Sequence, residues 1–300
     1  MSSISVRRDE AAATPPATPA WRRGLRKVLA FLGRHGLLLA VVIPMLMPFY
    51  WMVATSLKTA PEVQRNPPIL WPSIPQWVNY QEALTFPGFP FLLFLRNSVF
   101  YAGAVTVGSV ISCAAVAYGF ARLRFPGRNA LFMVTLATMM IPGIITFVPT
   151  YVLFKYIGLL GTYAPLVAPA FLGSAFFIFM LRQFYMGLPW ELSDAAKVDG
   201  ASEFAIFWTI MLPLVRSPLM VVGVFTFLWT WNDFFGPLIY LSDSTLWPLS
   251  LGLSMFKSRY VTRWELIMAA STIATLPMVI LFFMTQRYFL QGITLTGIKG

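Results

Sequence analysis

Six long apolar segments constrain the fold of this 300-residue chain more than any other feature. All but the fifth lack Asp, Glu, Lys and Arg. They cover residues 36–57, 98–121, 130–153, 163–181, 218–241 and 266–285. Each has about the 20 residues that an α-helix needs to cross a bilayer and is too long for a barrel strand. Because backbone polar groups in lipid must be paired within the segment, the sequence predicts an all-α, polytopic membrane protein with six transmembrane helices.

Composition excludes a soluble globule, and charge predicts the orientation in the membrane. Hydrophobic residues make up 58% of the chain and charged residues 11%, with a mean hydropathy of +0.71. Lys and Arg concentrate in the N-terminal segment and in every second connection, which predicts that both termini and residues 189–213 are cytoplasmic. The net charge of +11 is therefore a topology signal with affinity for anionic headgroups, and no pattern favours nucleic acid.

The chain divides into a short tail and one membrane domain, and neither carries a catalytic constellation. Residues 1–27 are predicted to be a disordered, basic cytoplasmic tail, and residues 28–300 the transmembrane domain. His35 is the one histidine, Cys113 is the one cysteine, and the sequence has no glycine-rich phosphate loop. The apolar segments contain no carboxylate cluster that could hold a metal. We expect no enzymatic activity, no metal site and no cofactor bound by this chain.

The polar segment at residues 189–213 predicts two short helices separated by a corner. Four residues of the first helix recur at i, i+3, i+4 and i+7 and therefore share one face: Leu192, Ala195, Ala196 and Asp199. Small side chains on such a face let another backbone approach closely. Gly200 is predicted to end this helix in the left-handed conformation, and Ser202 is predicted to cap the second helix.

This segment resembles the EAA motif of the membrane subunits of bacterial ABC importers. The matching residues are Glu191, Leu192, Ala195, Ala196, Asp199, Gly200, Ala201, Leu212 and Pro213. From the pattern alone, an ordinary amphipathic loop on the inner face of a membrane protein is the alternative. Further matches resemble the second permease of carbohydrate importers of the maltose-transporter class, over essentially residues 45–300. They include Thr55-Ser56-Leu57-Lys58, Phe94-Leu95-Arg96-Asn97-Ser98, Arg122-Leu123-Arg124-Phe125-Pro126-Gly127 and Trp231-Asn232-Asp233-Phe234.

The resemblance implies an architecture and a set of partners. The fold would be the type I ABC importer permease (MetI-like) core, in a bacterial inner (cytoplasmic) membrane. A second homologous permease would form a heterodimer with this chain and supply the other half of the pore. Two ABC ATPase subunits would bind residues 189–213 and hold ATP and Mg. An extracytoplasmic solute-binding protein would deliver a carbohydrate on the opposite side, where residues 58–96 and 242–265 are the expected docking surface.

Two further sets of residues are candidates for functional contacts. The first is the end of the chain, which the resemblance places at the ATPase and which could equally be a frayed end: Gly297, Lys299 and Gly300. The second lies in the fifth apolar segment and could line the translocation path or a gate: Trp229, Trp231, Asn232 and Asp233. The alternative for the second set is a hydrogen-bonded anchor between helices, with tryptophans at the membrane interface.

Two other functions stay open. An ion-coupled secondary transporter would need a buried ionisable residue, and Asp233 is the candidate for that role. An ABC permease for a solute other than a sugar would show the same pattern. The sequence does not name the carbohydrate.

Overall fold

The computed structural model describes residues 20–256 and 262–296, and these form helices joined by turns and loops, with no β-strand among them. In chain order the helices are α1 (Ala20–Ser56), α2 (Ala60–Val63), α3 (Val78–Thr85), α4 (Phe91–Arg122), α5 (Arg128–Thr138), α6 (Gly143–Tyr156), α7 (Ala164–Val167), α8 (Ala175–Met186), α9 (Glu191–Val198), α10 (Glu203–Ala205), α11 (Leu212–Leu214), α12 (Arg216–Trp231), α13 (Phe235–Tyr240), α14 (Leu249–Gly252) and α15 (Trp264–Thr296). Short 3-10 turns occupy Ala168–Leu172, Ser244–Leu246 and Leu253–Phe256, and a π turn occupies Ile206–Met211. The predicted all-α class is confirmed.

The membrane spans follow the predicted apolar segments, with two differences. Within the described residues, four segments are long and apolar enough to cross a membrane without a sharp bend: His35–Ser56, Phe91–Arg122, Ala164–Met186 and Trp264–Arg287. Two more spans arise when bent pairs are each counted as one. α5 and α6 meet at 99°, and Glu203–Leu214 meets α12 at 80°. Large apolar side chains cover much of the surface of these spans, as expected for helices that contact lipid.

The third predicted span, residues 130–153, consists of two helices and not of one continuous helix. It is interrupted at residues 139–142, and α6 starts after Pro142, which has extended backbone angles (φ −60°, ψ 132°). Proline has no N–H to donate and clashes with the carbonyl four residues earlier, so α5 does not continue through it.

The fifth predicted span, residues 218–241, also consists of two helices and not of one continuous helix. α12 ends at Trp231, and a separate helix, α13, begins at Phe235. Pro237 explains the break, because in a continuous helix its ring would collide with the carbonyl of Asp233. Asp233 therefore lies at a break between two helices, where its carboxylate can accept hydrogen bonds from the backbone, and not inside a helix.

The N-terminal part differs from prediction at one boundary. The chain divides into two compact units after Trp51, and the first unit contains α1 up to that residue. α1 begins at Ala20, so residues 20–27 of the predicted disordered tail are helical. Residues 1–19 lie outside the described residues.

Helix α4 is the element around which the second unit is packed. It contacts α8, α12, α14 and the Ala168–Leu172 turn. One apolar cluster joins its C-terminal half to α8 and to residues 189–213, through Ala117, Leu181 and Ile206. A second cluster joins its N-terminal end to α14 and α15, through Phe94 and Leu249. Both apolar cores of this unit therefore share α4.

Candidate functional site

The first short helix of the EAA segment (residues 189–213) ends at the predicted glycine. α9 covers Glu191–Val198, and Gly200 follows it with φ +81°. The Gly200 N–H donates to the carbonyl of Lys197 at 3.0 Å, and the Ala201 N–H donates to the carbonyl of Ala196 at 2.9 Å. This pair of bonds is the Schellman motif, which satisfies the last carbonyls of a helix and needs a left-handed residue at its corner. The predicted helix end at Gly200 is confirmed.

The second short helix begins at the predicted cap and leads through a bend into α12. The Ser202 Oγ accepts a hydrogen bond from the Ala205 N–H at 3.2 Å, as expected of an N-cap. After α10 the chain passes through the π turn and α11, and it meets α12 at 80°. Leu212 is partly buried against the apolar core, as is Ala201, whereas Pro213 is exposed. The corner and the bend therefore place the segment as a projection at one end of α8 and α12.

The exposed face of α9 is shifted from the predicted one. Ala196 is only 7% exposed and packs into the apolar core, and its neighbour Ser193 is 3% exposed. Ala196 was predicted to face a partner, and the structure turns it inward. Successive helical residues are about 100° apart, so Ala195 and Ala196 cannot both be central to one face.

The residues that do point away from the rest of the chain form what we call the outward face: Glu191, Ala195 and Val198. Asp194 and Asp199 are exposed beside it, and Leu192 is 39% exposed. Val198 is 88% exposed, which is unusual for an apolar side chain on a short helix. Phe204, across the corner, is 74% exposed. Val198 was not among the predicted residues, although its position at i+7 from Glu191, with Ala195 at i+4, places it on the same helical face.

The inner side of the segment is held by Arg122, the last residue of α4. Its guanidinium donates from Nε to the carbonyl of Tyr185 at 3.0 Å, and from its two terminal nitrogens to the carbonyls of Leu188 at 2.6 Å and Pro189 at 3.4 Å. The same group lies 4.5 Å from the ring centroid of Trp190, the residue that precedes α9. A planar cation with five donors is suited to binding several carbonyls at once. Arg122 therefore fixes the connection between α8 and α9.

Tyr118, one helical turn before Arg122, holds the other end of α9. Its hydroxyl donates to Glu203 Oε2 at 2.8 Å, and Lys197 Nζ lies 2.7 Å from Glu203 Oε1. Glu203 thus links α4 to the last turn of α9 across the glycine corner. The contacts of Tyr118 and Arg122 were not predicted, because they join positions more than 60 residues apart and no local spacing indicates them.

A wide cavity of about 680 Å³ lies between the end of α4 and α9. Its lining combines three cations, two carboxylates and two aromatic rings with one leucine: Arg122, Arg124, Lys197, Asp194, Glu203, Phe125, Trp190 and Leu123. Among the described residues no group of three or more His, Cys, Asp and Glu side chains could hold a metal ion.

Asp233 lies at the opposite end of α4, and both of its carboxylate oxygens are occupied. The Tyr101 hydroxyl donates to Oδ2 at 2.6 Å, and the Gly236 N–H donates to Oδ1 at 3.0 Å. The Ser250 hydroxyl donates to the Asp233 carbonyl at 2.7 Å. These contacts match the alternative of a hydrogen-bonded anchor between helices.

The other candidates for the translocation path have different environments. Trp231 is buried, stacks on Phe227 and donates its ring N–H to the carbonyl of Ala274 at 3.1 Å. Asn232 is exposed and donates to the carbonyl of Leu228 at 2.7 Å. Trp229 is exposed and stacks on Phe177 with ring centroids 5.8 Å apart. Gly297, Lys299 and Gly300 lie outside the described residues.

Comparison with known proteins gives relatives along most of the chain. The sequence profile of a family described as "Binding-protein-dependent transport system inner membrane component" matches residues 108–295. The arabinooligosaccharides transport system permease protein AraQ of Halalkalibacterium halodurans is 34% identical over 255 residues, covering 84% of this chain and 91% of the relative. The sn-glycerol-3-phosphate transport system permease protein UgpE of Yersinia pestis is 34% identical over 266 residues, covering 86% of this chain and 94% of the relative.

A solved structure shares the fold. It belongs to a bacterial ABC transporter involved in the import of the acidic polysaccharide alginate, and it superposes with a TM-score of 0.77 at 20% sequence identity. The superposition covers 92% of this chain and all of the matched chain. The overall fold of this chain is therefore one that a solved protein also adopts.

Proposed function

This chain belongs to the family of binding-protein-dependent transport system inner membrane components, and on that basis we propose that it is the membrane-spanning subunit of an ATP-driven sugar importer. The family consists of transport subunits. In the importer, separate ATPase subunits would bind ATP and Mg and would hydrolyse the ATP. A carbohydrate is proposed as the solute because one relative is named for arabinooligosaccharides. Another is named for sn-glycerol-3-phosphate, so a polyol phosphate is the second candidate.

The observation that carries the proposal is the outward face of α9. Glu191, Ala195 and Val198 project from a helix whose other side packs into the apolar core through Ala196. Residues on either side of this helix, Leu188 and Glu203, are hydrogen-bonded to α4. An exposed apolar residue on a firmly held helix is what a docking surface requires, because little ordering cost remains to be met on binding. We propose that this face binds an ATPase subunit, with Gly200 and Ala201 forming the corner beside it.

The orientation of the complex follows from this assignment. Residues 189–213 and both termini would be cytoplasmic, in agreement with the distribution of Lys and Arg. A second homologous permease would complete the pore as a heterodimer. An extracytoplasmic binding protein would deliver the solute at the opposite end of α4. ATP can change the conformation of the permease only if the ATPases bind the outward face differently in their open and closed states.

Cysteine crosslinking tests the docking face with a matched control. Cys113 is the one native cysteine and is fully buried, so an introduced cysteine would be the reactive thiol. In a complex purified with its ATPase, Val198→Cys is expected to crosslink to the ATPase. Ser193→Cys on the buried side of the same helix is expected to give at least about tenfold less product. Equal products from both positions, or no product from Val198→Cys in an actively importing complex, would contradict the docking model.

The solute is tested on the partner that would deliver it. Thermal-shift measurements on the cognate binding protein, against a panel of oligosaccharides and glycerol phosphates, should identify a stabilising ligand. That ligand should then stimulate ATP hydrolysis by the reconstituted importer. Stabilisation only by amino acids or peptides would overturn the proposed solute class.

A further inference from the structure

Helix α4 is the one span in the described part of the chain that has neither a proline nor a sharp bend. The other spans without a sharp bend contain Pro44 and Pro48, Pro165 and Pro169, or Pro277. The remaining two spans are bent by 99° and 80°. α4 runs for 32 residues, which is about 48 Å at 1.5 Å per residue, and it is the most buried of the four spans without a sharp bend.

One end of α4 is bonded to both sides of the proposed ATPase-docking helix. Arg122 binds the connection that leads into α9, through the carbonyls of Tyr185, Leu188 and Pro189. Tyr118 binds Glu203 just after the glycine corner, and Glu203 pairs with Lys197 in α9 itself. A displacement of α9 in either direction therefore pulls on α4 through hydrogen bonds to charged groups, which are among the stronger ones in proteins.

The opposite end of α4 is bonded to the connection between α13 and α15. The Asn97 side chain donates to the carbonyls of Thr245 at 2.8 Å and Trp247 at 3.0 Å. The Leu249 N–H donates to Ser98 Oγ at 2.7 Å. Tyr101 donates to Asp233 at the break between α12 and α13. This connection includes residues 242–256, part of the surface expected to meet the binding protein.

We propose that α4 is the mechanical link between the two surfaces, with Tyr118 and Arg122 as positioning residues at one end and Tyr101 at the other. The proposal rests on the proposed function, since it needs an ATPase at α9 and a binding protein at the far end. Packing supports it, because the two apolar cores of this unit share α4 and have no other helix in common.

The polypeptide leads from α9 to the spans in two directions, through α8 and through α12. Both connections are less suited than α4 to transmit movement. On one side, α8 is separated from α7 by the Ala168–Leu172 turn and Gly173, whose φ is +84°. On the other side, the chain passes a π turn and an 80° bend before α12, which itself ends at Trp231. Breaks of this kind absorb changes in backbone angle, as hinges do.

The test uses three hydroxyl deletions in the complete importer, reconstituted with ATPase, partner permease and binding protein. Tyr118→Phe removes the bond to Glu203, and Tyr101→Phe removes the bond to Asp233. Tyr185→Phe is the matched control, because its hydroxyl is buried beside the Tyr118 ring and has no hydrogen-bond partner among the described residues. The readout is the ratio of ATP hydrolysis with and without solute-loaded binding protein, which a purely structural contact does not alter in a correctly assembled complex.

We expect Tyr118→Phe and Tyr101→Phe each to reduce the stimulation ratio by about fivefold or more, with basal hydrolysis retained and Tyr185→Phe unchanged. The double variant should be no worse than either single one, because both bonds act in series. Sites more than about 10 Å apart normally have additive effects, so this non-additivity over the length of α4 is the diagnostic result.

Three outcomes would overturn the link. They are a normal stimulation ratio in both tyrosine variants, an additive loss in the double variant, and an equal loss in Tyr185→Phe. Each of them leaves the proposed function intact, provided that the unmodified complex imports solute and Val198→Cys still crosslinks to the ATPase. Failure of the unmodified chain to assemble with an ATPase would instead refute the proposed function.

Discussion

Gly200 shows how one residue sets the geometry of the docking segment. A Cβ at this position would have no atom within 4 Å, so space does not require glycine. The requirement comes from φ +81°, a left-handed conformation that costs residues with a side chain roughly 1–2 kcal/mol. The Schellman bonds from Gly200 and Ala201 form only in that conformation. A single backbone angle therefore positions α9 relative to α10.

Replacing Gly200 by valine should uncouple transport while leaving the membrane domain folded. A β-branched residue disfavours the left-handed region most strongly, so the corner should open and the outward face should shift. We expect solute uptake to be abolished and the amount of protein in the membrane to stay normal, measured by uptake in vesicles and by immunoblotting.

Gly200→Asn is the matched control for that substitution. Asparagine tolerates the left-handed conformation better than other residues that carry a side chain, and the open space accommodates it. Substantial uptake is expected. If the valine variant imports solute at the normal rate, the corner is not needed for coupling.

At the scale of elements, the segment between α1 and α3 is held by a compact polar network. Thr59 and Glu62 form a capping box at α2, and Glu62 also accepts from the Ser73 N–H at 3.1 Å. Asn79 donates to the carbonyls of Ser56 and Lys58, each at 2.8 Å. The segment is therefore an ordered part of the predicted binding-protein surface.

Acidification should loosen this segment through Glu62. Hydrogen bonds from the Thr59 and Ser73 backbone lower the pKa of Glu62 to about 2, from an ordinary value of 4.5. A lowered pKa means that the ionised carboxylate stabilises the folded state above pH 4.5, and that this contribution is lost as the pH falls toward 2. The protection of the amides of residues 59–76, corrected for the intrinsic pH dependence of exchange, should fall over that interval in the native protein. Glu62→Gln should exchange faster than the native protein at pH 7 and equally fast near pH 2; a constant difference would disprove the role of the charge.

Helices α4 and α14 are closely packed where Gly252 meets Phe94. A Cβ on Gly252 would collide with the Phe94 ring, which is itself buried in the apolar cluster. Gly252→Ala should destabilise the domain by about 1–3 kcal/mol, the usual cost of overpacking. Thermal unfolding in detergent measures it. Gly103→Ala in α4, where a Cβ meets nothing within 4 Å, should leave the unfolding temperature unchanged or higher.

For the whole molecule, long-range contacts mark the limit of prediction from sequence. The length and hydropathy of the six apolar segments are local signals, and they predicted the fold class. The preference of glycine for the left-handed conformation is also local, and it predicted the corner of the EAA segment at Gly200. The inward position of Ala196 could not be predicted, because alanine is suited both to a buried and to an exposed helix face and the sequence does not distinguish Ala196 from Ala195. The contacts of Arg122 and Tyr101 join distant parts of the chain, so only the folded structure shows them.

The complete complex is expected to use ATP, and not an ion gradient, as its energy source for transport. Both carboxylate oxygens of Asp233 accept hydrogen bonds, so this residue is tied to Tyr101 and Gly236. Uptake into proteoliposomes should require ATP and should be unaffected by collapsing proton and sodium gradients. Asp233→Asn should keep that requirement, since the amide oxygen still accepts one bond. Uptake by this chain alone, driven by an ion gradient, would establish the secondary transporter instead.

The exposed Val198 and Phe204 also bear on the fate of an unassembled subunit. In the proposed orientation these two apolar side chains are exposed to the cytosol until the ATPase covers them. Such surface promotes aggregation and invites chaperones and proteases, so a copy made in excess of its partners would be short-lived. Degradation of unassembled copies through these two exposed side chains would therefore keep the number of permease subunits matched to the number of ATPase subunits.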